Sequence, residues 1–223
     1  MNESVAARTL AAYERWAAAY PATAHNPLMR AEERAMLALW PEVRGRRVLD
    51  LACGSGRYSR LLSERGAADV VALDVSGAML RQVSQAHRVR SAMMSLPFAP
   101  QSFAAVICGL ALGHAEDLDS WMRETARVIA PGGVLLYSDF HPEAHRAGLV
   151  RSFKDEEGRT WELPHRRFPV GTQCAGLRAA GYTIGAVREL RVGREIREPF
   201  AGSADFYARW DGLPLVLVVS ASR

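Results

Sequence analysis

Cysteine is scarce: three residues in 223, Cys53, Cys108 and Cys174, lie far apart with no CxxC spacing. That excludes a disulfide framework and a thiolate zinc site, so the three read as buried reduced thiols. Long hydrophobic runs are missing as well. No stretch approaches the roughly 20 apolar residues needed to cross a bilayer, and residues 1–10 carry Glu3 but no apolar segment of the kind found in a secretory leader. A cytoplasmic chain with no membrane partner is expected. Charge of one sign is nowhere concentrated. Lysine is reduced to Lys154, and the 28 basic residues exceed the 24 acidic ones by only four, interleaved with them along the chain. Pairs such as Arg46-Arg47 and Arg166-Arg167 therefore read as solvated faces. A nucleic acid, which would require a basic footprint on one face, is not expected as a partner.

What is present is a globular composition, 49% apolar with 18 glycines and 11 prolines, enough for a single α/β domain with a full core. Strand-like apolar runs alternate with helix-like segments, the pattern of a parallel sheet covered on both faces. Seven strands are expected, over Arg47 to Ala52, Val70 to Asp74, Arg88 to Met93, Ala104 to Leu110, Gly133 to Asp139, Thr183 to Val192 and Pro214 to Ser220. Between them helices are expected over Gly56 to Arg65, Ser76 to Ala86 with Ser76 as cap, Leu118 to Ile129 after Asp117, and Thr172 to Ala180 closed by Gly181. Two more helices precede the first strand. In the first, Tyr13, Trp16, Ala17 and Tyr20 follow an i, i+3, i+4, i+7 spacing and make one face aromatic. Pro142 to Val170 interrupts the alternation and reads as an inserted hairpin, turning at Asp155-Glu156-Glu157-Gly158. It would lie over the carboxyl end of the fifth strand, where open α/β sheets bind ligands.

The stretch VLDLACGSGRYSRLL, Val48 to Leu62, runs from a strand into a helix through Gly54 and Gly56. Without Cβ atoms there, a ligand can lie directly on main-chain N–H groups at the helix start. Asp74 ends the second strand 18 positions past Gly56, where a carboxylate can accept hydrogen bonds from both hydroxyls of a ribose. An adenosine-containing ligand is the natural candidate. A dinucleotide fingerprint would place a third glycine where Ser59 stands, so NAD is disfavoured.

With VVALDVSGAML, SLPFAPQSFAAVICGLAL and MRETARVIAPGGVLLYSDF added in order, the stretch from Val48 to Asp139 resembles the class I S-adenosylmethionine-dependent methyltransferases. More narrowly, it resembles their small-molecule, type 11 group, which includes the quinone and malonyl-carrier methyltransferases. The resemblance implies a Rossmann-like seven-stranded sheet with the last strand antiparallel and S-adenosylmethionine as methyl donor. It implies Asp50, Ala52, Gly54 and Gly56 around the methionine moiety, Asp74 on the ribose, and Val75 and Met79 near the adenine. Ala92 stands where many relatives have an acidic residue, followed by Met93, so backbone groups and packing are expected to hold the adenine. Cys108, Gly109 and Leu110 should face the donor's methionine and methyl group. Residues 1–45 then form a helical lid, 46–141 the donor-binding core, 142–170 the acceptor-side insert and 171–223 the remainder of the sheet.

A hydroxyl acceptor must lose a proton, and histidine suits that near neutral pH. His114 follows the fourth strand, His141 follows the fifth, and His165 lies in the insert. His141 is the preferred base, His165 and His114 are alternatives, and Tyr20 could turn its hydroxyl inward from the lid. His87 and His145 read as solvated. Arg166 and Arg167 could clamp a carboxylate, though a solvated face is the simpler reading. His141, His165 and Asp139 could bind a metal only if the hairpin gathers them, and no i, i+4 pair enforces that, so no metal is expected. The overall expectation is methylation of a small organic acceptor, O-methylation first, with N-, S- and C-methylation left open. The competing readings are an NAD-linked oxidoreductase and a nucleoside-binding protein without catalysis.

Overall fold

The computed structural model describes residues 5–84, 86–155, 157–197 and 205–223. Two helices, α1 (Val5–Trp16) and α2 (Pro27–Leu37), precede the sheet. The strands and helices that follow are β1 (Arg47–Leu51), α3 (Arg57–Glu64), β2 (Asp69–Asp74), α4 (Gly77–Leu80), β3 (His87–Arg90), β4 (Phe103–Cys108), α5 (Leu118–Val128) and β5 (Ile129–Phe140). The insert contributes α6 (Pro142–Arg146), β6 (Ser152–Lys154) and β7 (Thr160–Glu162), and the chain ends with α7 (Val170–Ala179), β8 (Thr183–Arg191), α8 (Phe206–Trp210) and β9 (Pro214–Ser222). Among the described residues no helix is long and apolar enough to cross a membrane.

Seven strands form one sheet in the order β3-β2-β1-β4-β5-β9-β8. β1 pairs in parallel with both β2 and β4, whereas β9 runs antiparallel between β5 and β8. The chain winds outward from β1 to β3 and then restarts at β4 on the other side. A crevice therefore opens beyond the carboxyl ends of β1 and β4, the switch point of the sheet. Alternate residues feed opposite faces. Leu49, Leu51, Val106 and Cys108 pack under α5 and α7 with Trp121 and Tyr137, while Val48, Ala105 and Ile107 pack under α2 and α3. Both faces are covered, so the central strands are apolar almost throughout.

Three helix starts carry side-chain caps, Ser76 and Asp117 as expected and Asn26 in addition. Asn26 accepts from the Met29 N–H at 2.9 Å, Ser76 from Met79 at 3.1 Å and Asp117 from Ser120 at 2.8 Å. The expected helix from Ser76 to Ala86 stops at Leu80. Leu80 and Val83 turn inward to pack with Cys53 and Ala72, and Val83 fills the space beside Gly56; Gln85 of that expected helix lies outside the described residues. The third strand is likewise shorter than Arg88 to Met93. After Arg90 the Ser91 N–H bonds to the Asp74 carbonyl at 3.1 Å, and the chain leaves the sheet.

The insert does form a hairpin, with Phe153 opposite Trp161. Asp155 holds its turn by accepting from the N–H groups of Glu157 and Arg159; Glu156 lies outside the described residues. Two three-residue strands would not stand alone. Phe153 stacks on Trp16 of α1 at 4.5 Å between ring centroids, and the Arg15 guanidinium sits 4.2 Å from the Trp161 centroid. The N-terminal helix and the insert thus clasp each other across the carboxyl edge of the sheet.

A buried ionic cluster fixes α2 and α3 on their face. Glu32, fully buried, accepts from Arg57 Nη2 at 2.8 Å, from the Tyr58 hydroxyl at 2.7 Å and from the Ser138 hydroxyl at 2.5 Å. Removing one member of such a pair strands a charge away from water. Glu32→Ala should cost about 3–5 kcal/mol in urea denaturation, and the double variant Glu32→Met, Arg57→Met should cost less. A double variant less stable than Glu32→Ala would show that the cluster stabilises the fold in its own right.

Candidate active site

The loop between β1 and α3 bends through three left-handed residues, Ala52 (φ 55°), Gly54 (φ 54°) and Gly56 (φ 86°). Alanine pays a steric penalty there that glycine does not. Leu110, just past the end of β4, is strained in the same way (φ 55°). Its N–H is held by the carbonyl and hydroxyl of Ser138, each at 2.9 Å, and its carbonyl accepts from Arg151 Nη1 at 3.0 Å. Two strained residues at adjacent strand ends mark a site whose backbone is held to a required shape.

Between them lies a cleft of about 360 Å³. Ala52, Gly54, Asp74 and Val75 line one side, Ala92 and Met93 the apolar end, and Gly109 and Leu110 the other side. Asp74 is buried, its Oδ2 accepting from the Gly54 N–H at 2.9 Å and its Oδ1 from Ser76 at 2.8 Å. Burial pushes its pKa above the ordinary carboxylate value, against the pull of those N–H groups. Gly109 admits no side chain, because an added Cβ would collide with the Tyr58 ring.

Four residues expected around the donor lie behind the cleft wall instead. Asp50 is a buried residue of β1, where the Ser59 hydroxyl donates to its Oδ2 at 2.6 Å and burial lifts its pKa to about 7. The residue that replaces the third glycine thus has a task of its own, capping an enclosed carboxyl group. Gly56 faces Val83, and Met79 and Cys108 belong to the core, where burial raises the Cys108 thiol well above its ordinary pKa.

Helix α1 roofs the cleft. Glu14 accepts from the Ser76 hydroxyl at 2.9 Å, and the Gln82 amide bonds to the Ala17 carbonyl. Tyr13 and Tyr20 line the cleft, with the Tyr20 ring above Gly54. Burial raises both phenol pKa values, so the hydroxyls stay protonated. His114 Nε2 lies 2.9 Å from both the Tyr13 hydroxyl and Arg151 Nη1. Arginine only donates, so Nε2 accepts and the ring proton sits on Nδ1. Burial, reinforced by Arg151, drives the His114 pKa well below its ordinary value.

Arg151 also borders a second cleft of about 760 Å³ on the insert side, shared with His141 and His165. Here the two histidines differ. His141 caps α6, its Nδ1 accepting from the Glu143 N–H at 3.2 Å while Nε2 donates to Glu189 at 3.3 Å. Both nitrogens of the preferred base are therefore committed to holding structure. His165 Nε2 donates to Asp139 Oδ1 at 2.9 Å, and its ring stands edge-on to His114 at 5.4 Å between centroids. Its Nδ1 is left as the proton acceptor. The hairpin joins His165 to Asp139 but not to His141 as a third ligand, and among the described residues no group of three or more His, Cys, Asp or Glu could hold a metal. Arg167 lines the second cleft, whereas Arg166 only pairs its N–H with the Gly113 carbonyl. Arg151 stands apart from any motif in the insert, so no spacing in the sequence marks it as a site residue.

Between about pH 4, where an unfolded aspartate titrates, and about 7, where Asp50 does in the fold, the folded state holds the extra proton. Stability from this group therefore falls as pH rises through that window. Asp50→Asn removes the titration, so its stability relative to the parent should improve from pH 5 to pH 8 in urea denaturation. An unchanged difference would place Asp50's titration outside that window.

Residues 49–137 match the family described as methyltransferase domain. Malonyl-(acyl-carrier protein) O-methyltransferase of Enterobacter lignolyticus is 36% identical over 131 residues, 55% of this chain and 52% of that protein. The 2-phytyl-1,4-naphtoquinone methyltransferase of Thermosynechococcus vestitus is 33% identical over 139 residues, 57% and 60% of the two chains. The chain thus spans about half the length of the curated relatives it matches. Among solved structures, an S-adenosylmethionine-dependent methyltransferase from Mesorhizobium loti superposes with a TM-score of 0.67 at 28% identity, over 86% of this chain and 98% of that one. The glycine bend, the acidic end of β2 and the strand order agree with these matches: residues 49–137 match the methyltransferase domain, and the fold is similar to that of an S-adenosylmethionine-dependent methyltransferase.

Proposed function

We propose that this protein transfers a methyl group from S-adenosylmethionine to an oxygen of a small organic acceptor. The observation that carries the reading is that one cleft presents the bare Gly54 backbone, the Asp74 carboxylate and the strained Leu110 together. A carboxylate has about four acceptor positions, and Asp74 spends two on Gly54 and Ser76, leaving capacity for a ribose diol. The end built from Ala92, Met93, Met94 and Val75 is apolar and thioether-rich, suited to the face of an adenine. Tyr13 and Tyr20 close the cleft from above and exclude water. The donor supplies an activated methyl on a sulfonium, so the protein's own task is to align the acceptor and accept its proton. His165 is the group placed for this, with Nδ1 as base and Asp139 fixing the tautomer. The C–O bond forms as the C–S bond breaks, the electron pair stays on sulfur, and the acceptor's proton goes to His165. The two relatives named as methyltransferases of a malonyl carrier and of a naphthoquinone support methyl transfer as the reaction class.

S-adenosylhomocysteine should raise the melting temperature and NADH should not. Asp74→Ala should weaken S-adenosylhomocysteine binding at least about tenfold, the scale of a lost charged hydrogen bond. Stabilisation by NADH alone would overturn the donor reading. With any acceptor turned over, His165→Ala should lower kcat by about 10²–10⁴-fold while donor affinity stays as in the parent. An unchanged kcat would remove His165 as base.

A further inference from the structure

The insert-side cleft has an unusual charge balance. Arg8, Arg15, Arg151 and Arg167 line it, and Glu162 is the one carboxylate among its described lining residues. Several arginines elsewhere are matched to an acid, as in Arg47 with Asp69, Arg57 with Glu32 and Arg127 with Glu124. Among the described residues none of the four cleft arginines has a carboxylate within ion-pair distance. Arg15 rests on Trp161, and Arg151 lies 4.8 Å from the Phe140 centroid. These are contacts that orient a guanidinium without neutralising it.

We infer that the acceptor carries a carboxylate or phosphoryl anion, which this cleft binds chiefly through Arg151. The inference rests on the methyl-transfer reading for the word acceptor, but its physical basis is separate. Arg151 is the residue common to both clefts. Its Nη1 is tied to the Leu110 carbonyl and His114, which leaves the remaining N–H groups of the fork for an anion. An anion held there sets the rest of a small molecule beside Leu110 on one side and His165 on the other. The aromatic walls, Phe140 and Trp161, would accept an apolar body behind the charged group. A neutral molecule of the same shape would gain no charge-assisted contact with these guanidinium groups, so the cleft selects by charge as well as by size.

The test is titration calorimetry on the full chain saturated with S-adenosylhomocysteine, at low and constant ionic strength. The probes are phenylacetate, phenylphosphonate and the uncharged phenylacetamide. At least one anion should bind about tenfold or more tightly than the amide, the scale of one charge-assisted contact, and should weaken as salt is raised. The tighter of the two anions identifies the group. Arg151→Met should lose about tenfold in anion affinity. Arg8→Gln with Arg167→Gln, both on exposed residues, should lose about threefold without a change in melting temperature, and decides the matter should Arg151→Met fail to fold. Equal binding of amide and anions, no binding of either anion, or anion affinity indifferent to these substitutions would each overturn the proposal. Arginine-dependent anion binding in a chain that gives no heat with S-adenosylhomocysteine would uphold the anion site while removing the donor reading.

Discussion

Glu32 and Arg57 meet 2.8 Å apart where water does not reach, and the active-site edge of the molecule is organised around that pair. Burying two ions is costly, and the cost is offset only with good geometry and further hydrogen bonds to the charged groups. Tyr58 and Ser138 supply two of these to the same carboxylate. Burial opposes the charge on Arg57, yet Glu32 holds its pKa above the ordinary guanidinium value. The arrangement binds α2, α3 and β5 into one unit, and its effects reach the site. The Ser138 hydroxyl that donates to Glu32 accepts from Leu110, and Tyr58 occupies the space a side chain at Gly109 would need.

From Leu110 the chain of contacts continues outward. Its carbonyl holds Arg151, Arg151 donates to His114, and the Tyr13 hydroxyl meets the same imidazole nitrogen. One hydrogen-bonded line therefore runs from the buried ion pair, through a strained residue, to the insert and the N-terminal helix. Arg151, near its outer end, borders both clefts. Segments with few buried contacts of their own, α1 and the β6–β7 hairpin, are ordered by what they place on it and by the stacking of Trp16 on Phe153. Elements of that kind belong to the low-stability end of a fold, where ligand-gated closure is found.

The division of labour among the histidines follows from hydrogen-bond supply. His141 stands where a helix needs a cap and Glu189 offers an acceptor, and it is used up by both. His114 is held neutral by burial and by the neighbouring arginine. His165 is paired through one nitrogen only, to a carboxylate at the end of β5, and keeps the other. All three lie at the carboxyl edge as their chain positions imply, and their chemistry is separated by partners contributed from elsewhere.

Local patterning of residues was enough to specify the parallel core, the glycine bend at Gly54 and Gly56, the acidic end of β2, the helix starts capped by Ser76 and Asp117, and the existence of the hairpin. Each of these is set by residues within a few positions of one another, through periodicity, φ preference or a local hydrogen bond. Tertiary structure alone decided that Asp50 is closed off by Ser59, that α4 stops at Leu80 so that Val83 can fill the space beside Gly56, and that His165 rather than His141 keeps a free nitrogen. It also decided that Arg151 borders both clefts. Apart from the cap of His141 on Glu143, two positions away, these outcomes depend on which partner arrives from 9 to 48 positions away along the chain, and burial makes a partner's presence or absence decisive. No local pattern carries that information.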